Sequence, residues 1–209
     1  MSELDLVRGD LHGKALALYV PTRRGGRHRS DAFSRALFLA KKLPGLGAQY
    51  AWDQGPRLAA LLPEGVTMIA TPPSSRARGF YFARELGAAV AQAAGLRLAR
   101  PLRWAVVGAE ASKAIVYQGG KGRALARRVE CLELLDGERV CLVDDLATTL
   151  ITAQLTADAL REAGAEVLGV VCLAKTEPTR SRPAAERERL QARAAVAKLR
   201  RQAREGQVG

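Results

Sequence analysis

Three stretches of the chain are apolar without polar alternation: "VTMIAT" at 66 to 71, "VCLV" at 140 to 143 and "VLGVVCLA" at 167 to 174. A strand with one face in water alternates apolar and polar side chains, so unbroken runs of this kind belong to strands covered on both faces. Between the second and third runs lies "TAQLTADALREAGAE", whose apolar residues recur at helical spacing and whose pattern stops at Gly164. Strand, helix and strand in this order predict an α/β fold, a parallel sheet flanked by helices.

The remaining elements are read around that unit. "ALALYV" (15 to 20) is a strand that breaks into the basic loop "PTRRGGRHRS", and Ser30 or Asp31 caps a helix over "DAFSRALFLAKKL". Lys41 and Lys42 sit near the negative end of that helix. "PRLAALLP" (56 to 63) suggests a short helix bounded by its prolines, and a helical pattern runs from Phe80 to about Ala94. "LRLARPLRW", "RRVECLEL" and "ERVCLVDD" read as strands, while 106 to 123, with Gly108, Gly119, Gly120 and Gly122, reads as a mobile excursion.

Length and composition exclude more than they select. A chain of 209 residues supports one sizeable core, and it has no apolar stretch near the roughly 18 to 20 residues that a membrane-spanning helix needs. The opening "MSELDLVRGD" is acidic and polar, unlike a secretory leader, which points to a cytoplasmic protein. Cys131, Cys141 and Cys172 lie apart in apolar runs without metal-site spacing, so they are expected as buried, inert thiols. The net charge of +12 favours anionic partners, either phosphorylated small molecules or nucleic acid. Residues 180 to 209 carry nine Arg or Lys against three Glu and read as a basic helical tail.

Chemistry concentrates where the run at 140 to 143 ends, in Asp144 and Asp145 followed by "LATTLIT". Ligands of open parallel α/β sheets bind beyond the carboxyl ends of the strands. The backbone N–H groups of the turn into the next helix, with the hydroxyls of Thr148, Thr149 and Thr152, suit a phosphate. Carboxylates beside a phosphate would repel it unless they face sugar hydroxyls or Mg²⁺. A phosphorylated sugar meets both requirements.

This motif resembles that of the type I phosphoribosyltransferases, in which two acidic residues close a strand and precede a threonine-rich phosphate loop. The resemblance implies that Asp144 and Asp145 hold the ribose hydroxyls, and with them Mg²⁺, of phosphoribosyl pyrophosphate. Ala147, Thr148, Thr149, Leu150, Ile151 and Thr152 would then bind its 5′-phosphate. "IATPPSSRARGF" (69 to 80) is similar to the pyrophosphate-loop region of that family, which assigns Thr71, Arg76 and Arg78 to pyrophosphate. The Arg-Gly-Phe at 78 to 80, a lysine after the first helix at Lys41, and "YQGGKGRALARR" (117 to 128) resemble ComF-like, competence-associated members. Adenine phosphoribosyltransferases also carry Arg-Gly-Phe and a similar loop. Lys113, Lys121 and Arg123 would be lid cations.

By the same resemblance, residues 1 to 64 form an N-terminal accessory, hood-like segment, 65 to 178 the core and 179 to 209 the tail. The implied activity is transfer of the ribosyl phosphate to a nitrogen nucleophile such as a nucleobase, and a homodimer stays open. The chain departs from the pattern in three places. It has no four-cysteine zinc finger, Tyr81 follows Phe80 where asparagine is usual, and Leu150 stands where the phosphate loop has glycine. Two other readings stay open. One is a ComF-type module binding single-stranded DNA through Arg23, Arg24, Arg27 and Arg29, although aromatic residues for stacking on bases make up only 5% of the chain. The other is a regulator that senses a phosphorylated metabolite without turnover.

Overall fold

The computed structural model describes residues 3–20, 31–74, 80–106, 115–118 and 124–176. In chain order these form β1 (Leu4–Arg8), β2 (Leu11–Tyr19), α1 (Ala32–Ala40), α2 (Pro44–Ala59), β3 (Met68–Ala70) and α3 (Phe82–Ala94). They continue as β4 (Arg97–Leu98), β5 (Arg103–Val106), β6 (Ile115–Gln118), β7 (Ala124–Glu130), β8 (Arg139–Ala147), α4 (Ile151–Glu162) and β9 (Glu166–Thr176). The main sheet has the order β1-β2-β9-β8-β3-β4, and every pairing in it is parallel except β1 with β2. The fold is thus the expected α/β class, with a mostly parallel sheet flanked by helices. The described residues all belong to one compact unit. The expected basic tail lies outside the described residues.

Why the apolar runs do not alternate is visible in the core. Val140, Cys141, Leu142 and Val143 of β8 are all fully buried. Successive side chains on a strand point to opposite faces. Val140 and Leu142 therefore join one cluster with Ala153, Ala157 and Leu160 of α4, while Cys141 and Val143 join another with Leu37, Leu58, Leu86 and Val90 of α1 to α3. β3 divides in the same way, with Met68 and Ala70 on one side and Ile69 on the other. β8 lies at the centre of both cores, so its carboxyl end is the most firmly positioned strand end available to a ligand. Cys141 and Cys172 are buried as expected, and burial pushes both thiols up, Cys141 to about 12.

Several local readings are corrected. Pro56 does not start a helix. It lies inside α2, which begins at Pro44, the first-turn position where a missing N–H costs nothing. The buried face of α2 is Gly47, Ala51, Gly55 and Leu58, of which the first three are small and carry a weak apolar signal. Their size serves close packing, since a Cβ at Gly55 would lie 2.8 Å from Ala89 of α3. "LRLARPLRW" divides into β4 of the main sheet and β5 of a second, antiparallel sheet with the order β5-β7-β6. The strand expected over "RRVECLEL" stops at Glu130. β1, unread in the sequence, forms a hairpin with β2, and both belong to the main sheet although they fall within residues 1 to 64. Asp31 caps α1 as expected, accepting a hydrogen bond from the Ser34 N–H at 2.9 Å.

Candidate functional site

Asp144 and Asp145 are near the carboxyl end of β8, past the strict alternation of 140 to 143: Leu146 packs with the cluster of α1 to α3 and Ala147 with that of α4. Asp145 reaches the end of α1. There the ammonium of Lys41, at the end of α1, meets Asp145 Oδ2 at 2.8 Å. Asp145 is 7% exposed, so this pair is only partly screened by water. Asp144 Oδ1 accepts a hydrogen bond from the Asp145 N–H at 2.8 Å. Burial, with the neighbouring Asp145 charge as a second cause, pushes the Asp144 carboxyl up to about 7.

Both carboxylates open onto one cleft of about 330 Å³, lined also by Lys41, Pro72, Pro73, Ser74, the aromatic residues Phe80 to Phe82, and Thr152. Its far wall is the segment after β3, the next strand of the sheet. The hydroxyl of Tyr81 donates to the Pro72 carbonyl at 2.9 Å, and Trp104 Nε1 donates to the Pro73 carbonyl at 3.2 Å. Two consecutive carbonyls of this wall are thus held by aromatic donors. Burial, reinforced by the two aspartates, raises the Tyr81 phenol above its ordinary range, so it stays a neutral donor.

The turn from β8 into α4 comprises Thr148, Thr149 and Leu150. Leu150 caps the helix with φ 55° and ψ 12°, and it is the one non-glycine residue with positive φ among the described residues. The leucine thus adopts the left-handed conformation for which glycine is the usual choice. No side chain caps the helix, so its first N–H groups keep the partial positive charge of a helix start. Thr148 and Thr149 are exposed, Ile151 is half-buried and Ala147 is buried. The Thr149 carbonyl accepts a hydrogen bond from Arg8 at 2.8 Å.

The structure therefore gathers Asp144, Asp145 and Thr152 around one cleft, with the turn at 148 to 150 leading into the helix that carries Thr152. Thr71, expected at pyrophosphate, is 4% exposed, at the end of β3 and with its methyl group against Gly87 of α3. Arg76, Arg78, Lys113, Lys121, Arg123, Arg23, Arg24, Arg27 and Arg29 lie outside the described residues. The sequence reading missed the Lys41–Asp145 pair, the two aromatic anchors and Arg8. All but the Tyr81–Pro72 contact join residues far apart in the chain, and only the position of Lys41 after a helix gave any signal.

As a metal site the donor set is sparse. No group of three or more His, Cys, Asp or Glu among the described residues could hold a cation. Two carboxylates fit Mg²⁺ only in company with ligand oxygens and water, which is how that ion is commonly held beside phosphates. No helix among the described residues is long and apolar enough to cross a membrane.

No protein-family profile matches the chain, and no curated protein does. Among solved structures, adenine phosphoribosyltransferase from Thermoanaerobacter pseudethanolicus is similar at 24% identity and a TM-score of 0.41, over 61% of this chain and 70% of that one. A purine phosphoribosyltransferase from Pyrococcus horikoshii is similar at 20% identity and a TM-score of 0.41, over 68% and 81%. Adenine phosphoribosyltransferase from Saccharomyces cerevisiae, solved with adenine and an imino-altritol bisphosphate, is similar at 21% identity and a TM-score of 0.41, over 63% and 70%. At these TM-scores the likeness is partial, and the assignment below rests on the residues of the cleft.

Proposed function

We propose that this chain binds phosphoribosyl pyrophosphate together with Mg²⁺ and transfers its ribosyl phosphate to a nitrogen nucleophile such as a nucleobase, in the manner of a ComF-like type I phosphoribosyltransferase. One observation carries the reading: a doubly carboxylate strand end at the centre of a parallel sheet passes through a left-handed turn into an uncapped helix start. The turn and helix start would take the 5′-phosphate, and Asp144 and Asp145 the ribose hydroxyls. Such a reaction asks the protein to position an anionic donor and stabilise the departing pyrophosphate, and it needs no protein nucleophile. Mg²⁺, when bound with the donor, would supply charge neutralisation on the pyrophosphate. Phe80 and Tyr81 give the cleft apolar aromatic surface suited to a planar acceptor.

Phosphoribosyl pyrophosphate with Mg²⁺, at a concentration about a hundredfold above its Kd, should stabilise the folded chain by about 2.7 kcal/mol, read as a melting shift of several degrees. Asp144→Asn combined with Asp145→Asn should abolish that shift while the unliganded protein remains folded. An undiminished shift in the double variant would remove the ribose assignment. Release of pyrophosphate on adding a panel of nucleobases reads out transfer and separates an enzyme from a sensor that binds without turnover.

A further inference from the structure

Arg8 closes β1, far in sequence from the turn at 148 to 150, yet its Nη1 donates to the Thr149 carbonyl at 2.8 Å. The hairpin turn after Arg8 is fastened to the same helix: Asp10 accepts a hydrogen bond from Gln154 Nε2 at 3.0 Å and pairs with Arg161 at 3.1 Å. The guanidinium is therefore delivered to the turn by a hairpin anchored along α4.

The Thr149 carbonyl and the Leu150 N–H belong to one trans peptide plane and point in opposite directions. Drawing the carbonyl toward Arg8 turns the N–H away from Arg8. The φ of 55° at Leu150 goes with this orientation. Rotating the peptide by half a turn would return φ to the negative range that leucine prefers and would reverse the N–H. Left to itself, a leucine at this position favours the reversed peptide; the Arg8 hydrogen bond opposes it.

We propose that Arg8 is a positioning residue that locks the Thr149–Leu150 peptide with its N–H turned to the phosphate side, so that leucine serves where the backbone calls for glycine. The inference rests on the phosphoribosyl pyrophosphate reading for the identity of the ligand, though not for the peptide geometry. Arg8 acts through the backbone and not as a charge on the ligand, and this distinction is measurable. Glycine tolerates either sign of φ, so it should make the clamp dispensable.

Isothermal titration with phosphoribosyl pyrophosphate and Mg²⁺ on wild type, Arg8→Ala, Leu150→Gly and the double variant tests this. Arg8→Ala should weaken binding about tenfold, the scale of one charge-assisted hydrogen bond. Measured against Leu150→Gly itself, adding Arg8→Ala to that variant should cost less than about threefold in affinity. An equal Arg8→Ala penalty in both backgrounds would show a simple charge effect and overturn the proposal, as would no penalty in the wild-type background. A second readout needs no ligand. The intraresidue amide-to-Hα contact and coupling of Leu150, measured by NMR, report the sign of φ. Loss of positive φ in unliganded Arg8→Ala supports the clamp, and its retention overturns it. If no form binds phosphoribosyl pyrophosphate, the functional reading fails while this readout still decides the role of Arg8.

Discussion

β3 and β8 are neighbours in the sheet, run in the same direction and each lead to a helix, yet their connections are held in opposite ways. After β8 the chain turns within Thr148, Thr149 and Leu150, and the cost is stored locally, as a left-handed leucine in the turn and a raised carboxyl, Asp144, in the strand before it. After β3 the chain runs through 71 to 81 before α3, and side chains fasten it where it lines the cleft, Tyr81 on the Pro72 carbonyl and Trp104 on the Pro73 carbonyl. A short connection has few dihedral angles, so strain has nowhere to spread. A long one loses more entropy on ordering and needs external anchors. Costs of the first kind are expected where a ligand repays them.

The contrast breaks most directly at Asp144. Its ordinary value is 3.8 and its folded value about 7, so between these pH values the folded chain keeps a proton that the unfolded chain has released. Stability of the unliganded protein should therefore rise as pH falls through that window, and this advantage should be gone above about pH 7. Asp144→Asn should raise stability by roughly 2–4 kcal/mol at pH 8 and flatten the pH slope. Urea melts of both proteins from pH 4 to pH 8 decide it; parallel slopes would mean that the β8 end stores no such cost.

Lys41 offers the next largest effect. It neutralises a carboxylate that is only 7% exposed, so Lys41→Met leaves Asp145 without its cation. A loss of about 1–2 kcal/mol is expected, less than for a fully dry pair because Lys41 itself reaches water. An unchanged denaturation midpoint at pH 7 would show the pair to be incidental. Smallest is Tyr81→Phe, which removes one donor from the β3 connection and should cost about 1 kcal/mol. The β8 turn should be untouched, so the Leu150 amide resonance should not move; a shift there would show that the two connections are coupled.

The fold was legible because burial on both faces leaves a direct trace: β3, β8 and β9 are apolar without alternation, and the α4 pattern between β8 and β9 specifies a crossover. α2 was misread because all of its buried face but Leu58 is glycine and alanine, whose role is close approach and whose hydrophobicity is slight. β1 was missed because an edge strand needs few apolar residues. Within the site, Asp144, Asp145 and the turn after them could be found because they adjoin in sequence. Thr71, assigned to pyrophosphate by resemblance alone, is buried at the end of β3 with its methyl group toward Gly87.

The sequence by itself determined the sheet class, the strand ends that carry charge, and the glycine position at which this chain has leucine. All of these follow from local periodicity and from residue chemistry at adjacent positions. The tertiary structure alone decided that Lys41 pairs with Asp145, that Tyr81 and Trp104 hold successive proline carbonyls, and that Arg8 grips the Thr149 carbonyl. Except for Tyr81 with Pro72, these contacts join distant parts of the chain, and they exist only because the sheet brings separate elements together around the end of β8. Local sequence constrains each residue's own backbone and burial; it does not constrain which distant side chain meets it.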